Sequence, residues 1–202
     1  MKWWAKSRML ALLAAITVAA AVLCLPGAGV LVSLPNLTGG PDFASPVSFL
    51  IPLAAVVAYC QGLARQDVTL EYQAVRRVWL ADLGVAAACC AVFAAGLIVD
   101  HGDTMLATVR NTLGFFGAAL IGTWLIDLSK AALVPVIWSL LAGLGGLPLG
   151  DVALTTWSSR PAADAGSWIV AGALALVGPA AYLAHHAPVT DRLARRLRPA
   201  TG

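Results

Sequence analysis

The sequence predicts an all-α, polytopic membrane protein with six transmembrane helices and both termini in the cytoplasm. Three observations predict it: a deficit of charge, six long apolar windows, and a lopsided placement of Lys and Arg. Hydrophobic residues make up 60% of the 202 and charged residues 11%, where soluble domains run near half apolar and about a quarter charged. A soluble chain of this length has one core and cannot hide that much apolar surface. A bilayer can take the place of the core. The windows are 9–25, 47–64, 78–99, 105–126, 131–147 and 167–185, each near the roughly 20 residues that cross a bilayer as a helix. None alternates apolar and polar in short segments, as barrel strands do. Helices are the other way to satisfy backbone polar groups in lipid.

Six helices with the N-terminus inside put Lys2, Lys6, Arg8, Arg65, Arg76, Arg77, Lys130, Arg192, Arg195, Arg196 and Arg198 in the cytoplasm, and only Arg110 and Arg160 outside. Eleven of 13 cations on one side obey the positive-inside rule. Trp3, Trp4, Trp79 and Trp124 fall at the inner interface, and Trp157 and Trp168 at the outer one. Trp138 falls deeper, where it packs.

In chain order, Lys2, Lys6 and Arg8 precede the first window. They also suit a signal peptide, but the apolar stretch is long and no small-x-small cleavage site follows. Leu23 before Cys24 spoils a lipoprotein cleavage box, so a retained helix is expected. The 26–46 loop, rich in Gly, Pro and Ser, has room for a short interfacial helix or a re-entrant turn. Pro52 lies one turn into the second window, where a kink is expected. Pro26, Pro135 and Pro179 are read as lying at or near helix ends.

Segment 65–77 is the longest polar interval with helical character. Asp67 suits a helix cap. Val68, Tyr72, Val75 and Trp79 then share one face at i, i+4, i+7, i+11, and Glu71, Gln73, Arg76 and Arg77 supply the polar remainder. This is an amphipathic cytoplasmic helix able to dock a partner; the competing reading is a solvated loop with positive anchors.

In the third window Asp82 sits one turn from the inner end. In the fourth, Arg110 sits one turn from the outer end, with a stem long enough to snorkel. Gly114, Ala118 and Gly122 form a small-xxx-small face for helix packing, within the chain or across a dimer. "DLSK", Asp127–Lys130, makes a tight hairpin in which Asp127 and Lys130 can pair at i, i+3. The outer loop 148–166 precedes the last window. The basic tail 187–202 anchors orientation and favours anionic lipid rather than nucleic acid, for which it lacks aromatic or motif context.

The chain lacks GxxxxGK[ST], HExxH and Gly-x-Ser-x-Gly, so no nucleotide site, catalytic set or cofactor is expected. "DHGD", Asp100–Asp103, reads as a solvated turn in preference to a metal site. Cys24, Cys60, Cys89 and Cys90 match no metal spacing and read as packing residues. No ionisable residue falls at the bilayer centre, which weighs against ion-coupled transport. An intramembrane enzyme would have to use Asp82 with His185 or His186.

In "LARQDVTLEYQAVRRVWLADL", Leu63–Leu83, an acidic residue precedes a basic pair that opens the third helix. With "RNTLGFFGAALIG", Arg110–Gly122, and the six-helix layout, the chain resembles the membrane subunit of ABC-2-type transporters, in particular small actinobacterial-like permeases. The "GT" and "P-x-S-R" elements expected near that segment are missing. The resemblance implies a permease subunit with a separate ABC ATPase subunit docking on Val68, Leu70, Glu71, Tyr72, Val75 and Arg76, and a second permease chain, identical or related. The alternative is a non-transport membrane immunity, sensor or assembly protein, using the helix-four face and the outer loop with Trp157, Arg160 and Trp168 for contacts.

Overall fold

The computed structural model describes residues 2–27, 30–34, 43–65, 78–143 and 156–196, with side chains for 4–25, 30, 47–65, 78–142 and 156–185. The amphipathic segment proper, 66–77, lies outside the described residues, and so do its candidate cap Asp67 and the docking residues Val68, Leu70, Glu71, Tyr72, Val75 and Arg76.

The architecture is helical. A short α1 (Lys2–Ser7) turns at Arg8–Met9 into α2 (Leu10–Gly27). Then come α3 (Pro52–Ala64), α4 (Val78–Ala95), α5 (Asp103–Leu125), α6 (Leu133–Gly143) and α7 (Ala165–Arg196). Four segments are long and apolar enough to cross a membrane: Val47–Ala64, Val78–Ile98, Asp103–Leu125 and Ala165–His185. Their 18 to 23 residues span about 27 to 35 Å at 1.5 Å per residue. The first and fifth expected spans are shorter here. Their apolar helices run Leu10–Leu25 and Leu133–Ala142, about 24 and 15 Å, and residues 144–147 lie outside the described residues.

Three expectations need correction. The 26–46 loop holds a two-stranded antiparallel ribbon, β1 (Leu31–Leu34) with β2 (Phe43–Pro46), in the register Leu31↔Pro46 to Leu34↔Phe43. Four-residue strands are too short for a two-residue period to stand out against turn-forming composition. Pro52 opens α3 after a 3₁₀ turn at Val47–Phe49, so the break comes before the proline, in the first turn where a missing N–H is harmless. Pro179 lies well inside α7, which runs 32 residues to Arg196. A spanning helix tolerates proline because neighbouring helices and local adjustment re-satisfy the freed carbonyl. Part of the expected tail, from residue 187 to Arg196, is thus helical.

α5 is the central element: 83% of its apolar window is buried, against 22% for those of α4 and α7. Small residues make this possible. A side chain at Gly117 would run into the Leu174 carbonyl, and one at Gly178 into the Gly117 carbonyl, so the α5 and α7 backbones touch. The outward positions are apolar instead of polar: Ile98, Ile169 and Leu176 are 80%, 72% and 76% exposed. That inversion of the soluble pattern suits a lipid surround.

Candidate functional site

The strongest polar assembly surrounds Asp82 in the second turn of α4. Arg8 meets its carboxylate with two N–H groups, Nε to Oδ1 and Nη2 to Oδ2, both at 2.9 Å. Trp4 Nε1 donates to Oδ1 at 3.3 Å, and the Tyr182 hydroxyl to Oδ2 at 3.1 Å. Tyr59 donates its hydroxyl to the Asp82 backbone carbonyl at 3.1 Å, its ring held edge-on to Phe116. Arg8 also donates from Nη1 to the Leu63 carbonyl at 3.2 Å. Asp82 therefore ties α1, the α1–α2 corner, α3 and α7 to α4.

Both charges are only 3% exposed. Burying an ion pair is costly, and it is sustained only when geometry is good and the remaining lone pairs are filled. Here the two-point contact and the Trp4 and Tyr182 donors fill them. The glycine at 62 lets the corner approach: a Cβ there would lie 2.7 Å from the Arg8 carbonyl oxygen. Met9, just after it, has φ 52°, the left-handed region that L side chains rarely adopt.

The opposite end carries a second polar assembly. Arg110 is fully buried and does not snorkel. Its Nη1 donates to the Pro161 carbonyl and Nη2 to the Arg160 carbonyl, each at 2.9 Å, and Asn111 Oδ1 accepts from Nε and Nη2. Asn111 Nδ2 donates to the Ser158 carbonyl at 2.7 Å. The carbonyls of a loop folded back over the bundle thus solvate the guanidinium in place of headgroups. Asp164 caps α7 by accepting the Ser167 N–H and hydroxyl and faces Arg160 at 3.7 Å. These contacts, the Ser167 bonds first, hold the Asp164 carboxyl below its ordinary range. Trp157 is buried against α5, its indole N–H without a hydrogen-bond partner among the described residues.

The helix-packing candidates Gly114, Ala118 and Gly122 face neighbours within the chain. A side chain at Gly114 would enter the Trp157 ring, and one at Gly122 would lie 2.7 Å from the Ala131 carbonyl oxygen; Ala118 is 2% exposed. Trp157, Arg160 and Trp168 are likewise engaged inside the chain. Arg160 Nε donates to the Thr156 hydroxyl, and Trp168 Nε1 to the Ala162 carbonyl. At the hairpin, Asp127 accepts from the Leu128 N–H and the Ser129 hydroxyl instead of pairing with Lys130. Local donors one and two residues away reach it without ordering a long lysine. At "DHGD", Asp100 accepts the Gly102 N–H at 2.8 Å. Cys24, Cys60 and Cys89 are buried and Cys90 half-buried, all as free thiols.

Asp82 and Arg110 stood out in the sequence as charges one turn inside apolar windows. Arg8 read as an anchor and Trp4 as an inner-interface tryptophan, while Tyr59, Tyr182 and Gly62 carried no signal. The available clue was sign and depth: Arg8 and Asp82 belong to the same expected inner layer. No protein-family model, curated protein or solved structure matches this chain.

Proposed function

We propose that the chain is the membrane-spanning permease subunit of an ATP-driven, ABC-type transporter in the cell membrane, its ATPase supplied by a separate chain. The single observation that best supports this is Arg8. It joins the Leu63 carbonyl in the last turn of α3 to Asp82 near the start of α4. These are the two ends from which 66–77 departs, so force on that segment enters both helices through one clamped base. In this proposal 65–77 is the docking helix, α2 and α6 complete six spans, both termini are cytoplasmic, and a second permease chain completes the path. The tight α5–α7 contact supports a path between chains over one through this bundle.

The non-transport alternative relied on the helix-four face and the Trp157–Trp168 loop as contact surfaces. Both are occupied within the chain, which weighs against it. Asp82, the group an intramembrane enzyme would use, has its carboxylate engaged by Arg8, Trp4 and Tyr182.

The test is purification of the tagged chain from its native host in mild detergent, followed by mass spectrometry. A P-loop ATPase in near-equal amount is expected, and replacing Glu71 and Tyr72 together should abolish its stimulation while the membrane part stays folded. A chain that arrives without an ATPase overturns the proposal.

A further inference from the structure

We propose that the α1–α2 corner is a latch: α1 is held in a strained, closed position by Asp82 and has a second, released position. Three independent features seat this corner. Asp82 accepts from Trp4 on α1 and from Arg8 at the corner. Gly62 opens the space into which the Arg8 carbonyl fits; any side chain there would meet it at 2.7 Å. Met9 takes φ 52° to turn the chain. A non-glycine residue in that region persists only where its surroundings over-determine it, and such strain gathers at moving parts.

The strain opposes the hydrogen bonds. Opening the corner relaxes Met9, while closing it makes the bonds to Asp82, so the strain lowers the cost of release from a closed position that the bonds favour. A shallow cleft lined by Arg8, Leu13, Tyr59, Gly62, Leu63 and Asp82 has room for about one water, which can stand in for a donor as the latch opens. Because Arg8 also grips Leu63, any displacement of the α3 end against the α4 start strains the same contacts. The latch therefore senses movement at the base of 66–77 whatever acts there, and it stands even if no ATPase does.

The experiment is hydrogen–deuterium exchange on the full chain in nanodiscs. It follows the Arg8 and Met9 amides, bonded to the Trp4 and Lys6 carbonyls, and uses α5 as the internal reference. Gly62→Ala removes no charge and should raise corner exchange about tenfold through overpacking. Trp4→Phe, which removes one donor, should raise it about threefold. Met9→Gly should lower it about threefold, as relief of the left-handed conformation outweighs glycine's entropy. The α5 amides should not change in any of the three. The latch is overturned if folded Gly62→Ala or Trp4→Phe leaves the corner unchanged, if α5 speeds up equally, or if Met9→Gly exchanges faster than wild type. Should Gly62→Ala not accumulate, the other two variants decide.

Discussion

Asp82 matters because donors from α1, the α1–α2 corner, α3 and α7 converge on it. Removing the carboxylate breaks the buried two-point contact with the Arg8 guanidinium, so Asp82→Ala should cost about 3–5 kcal/mol. Reversible unfolding in bicelles measures it. Combining Asp82→Ala with Arg8→Met should cost clearly less than the sum of the single changes, since coupled partners in contact depart from additivity by about 0.5–3 kcal/mol. Additive costs would mean that the pair carries no coupling. Asp164 gives a pH signature. Its folded carboxyl is held below its ordinary value, chiefly by Ser167. Its contribution is therefore complete above the unfolded pKa near 4 and is lost as pH falls through the lower folded value. Asp164→Asn should flatten that acid limb of the thermal-unfolding curve while leaving the neutral region nearly level. An unchanged acid limb would show that the cap does not titrate in this window.

Among elements, the α5–α7 contact carries the bundle. Gly117→Leu and Gly178→Leu each drive a side chain into backbone, which cannot yield as a flexible side chain would. Either change should destabilise by more than about 3 kcal/mol, beyond the usual overpacking range of 1–3. Gly84→Ala is the control: its Cβ would meet nothing within 4 Å, and it should be neutral or gain up to about 1 kcal/mol of helix propensity. Equal effects from the two kinds of site would remove the packing explanation. The stripe at Gly114, Ala118 and Gly122 was legible because four-residue spacing is visible along one helix. Gly117 was not, because it lies off that stripe and acquires its meaning only from Gly178 across the contact. The small strand pair at Leu31–Leu34 was hidden for the same reason: its pairing depends on residues 43–46, not on a pattern within itself.

At the scale of the whole molecule, the four long apolar helices, the packing around α5 and the two polar assemblies give a bundle with a tied end and a covered end. Arg8 and Asp82 clamp the first; the Trp157 loop, held by Arg110, closes the second. Charge deficit and apolar windows are sums over neighbouring residues. The sequence alone therefore determined a helical chain with segments long and apolar enough to cross a membrane, near Val47–Ala64, Val78–Ile98, Asp103–Leu125 and Ala165–His185. It also singled out Asp82 and Arg110, since a charge inside an apolar run is costly wherever the run lies. Only the tertiary structure decided what satisfies them. Arg8 lies 74 residues from Asp82 and Tyr182 lies 100 away, and no local period links them. A buried charge takes the partner that helix packing brings within about 3 Å, and packing is set by which small residues let which backbones meet.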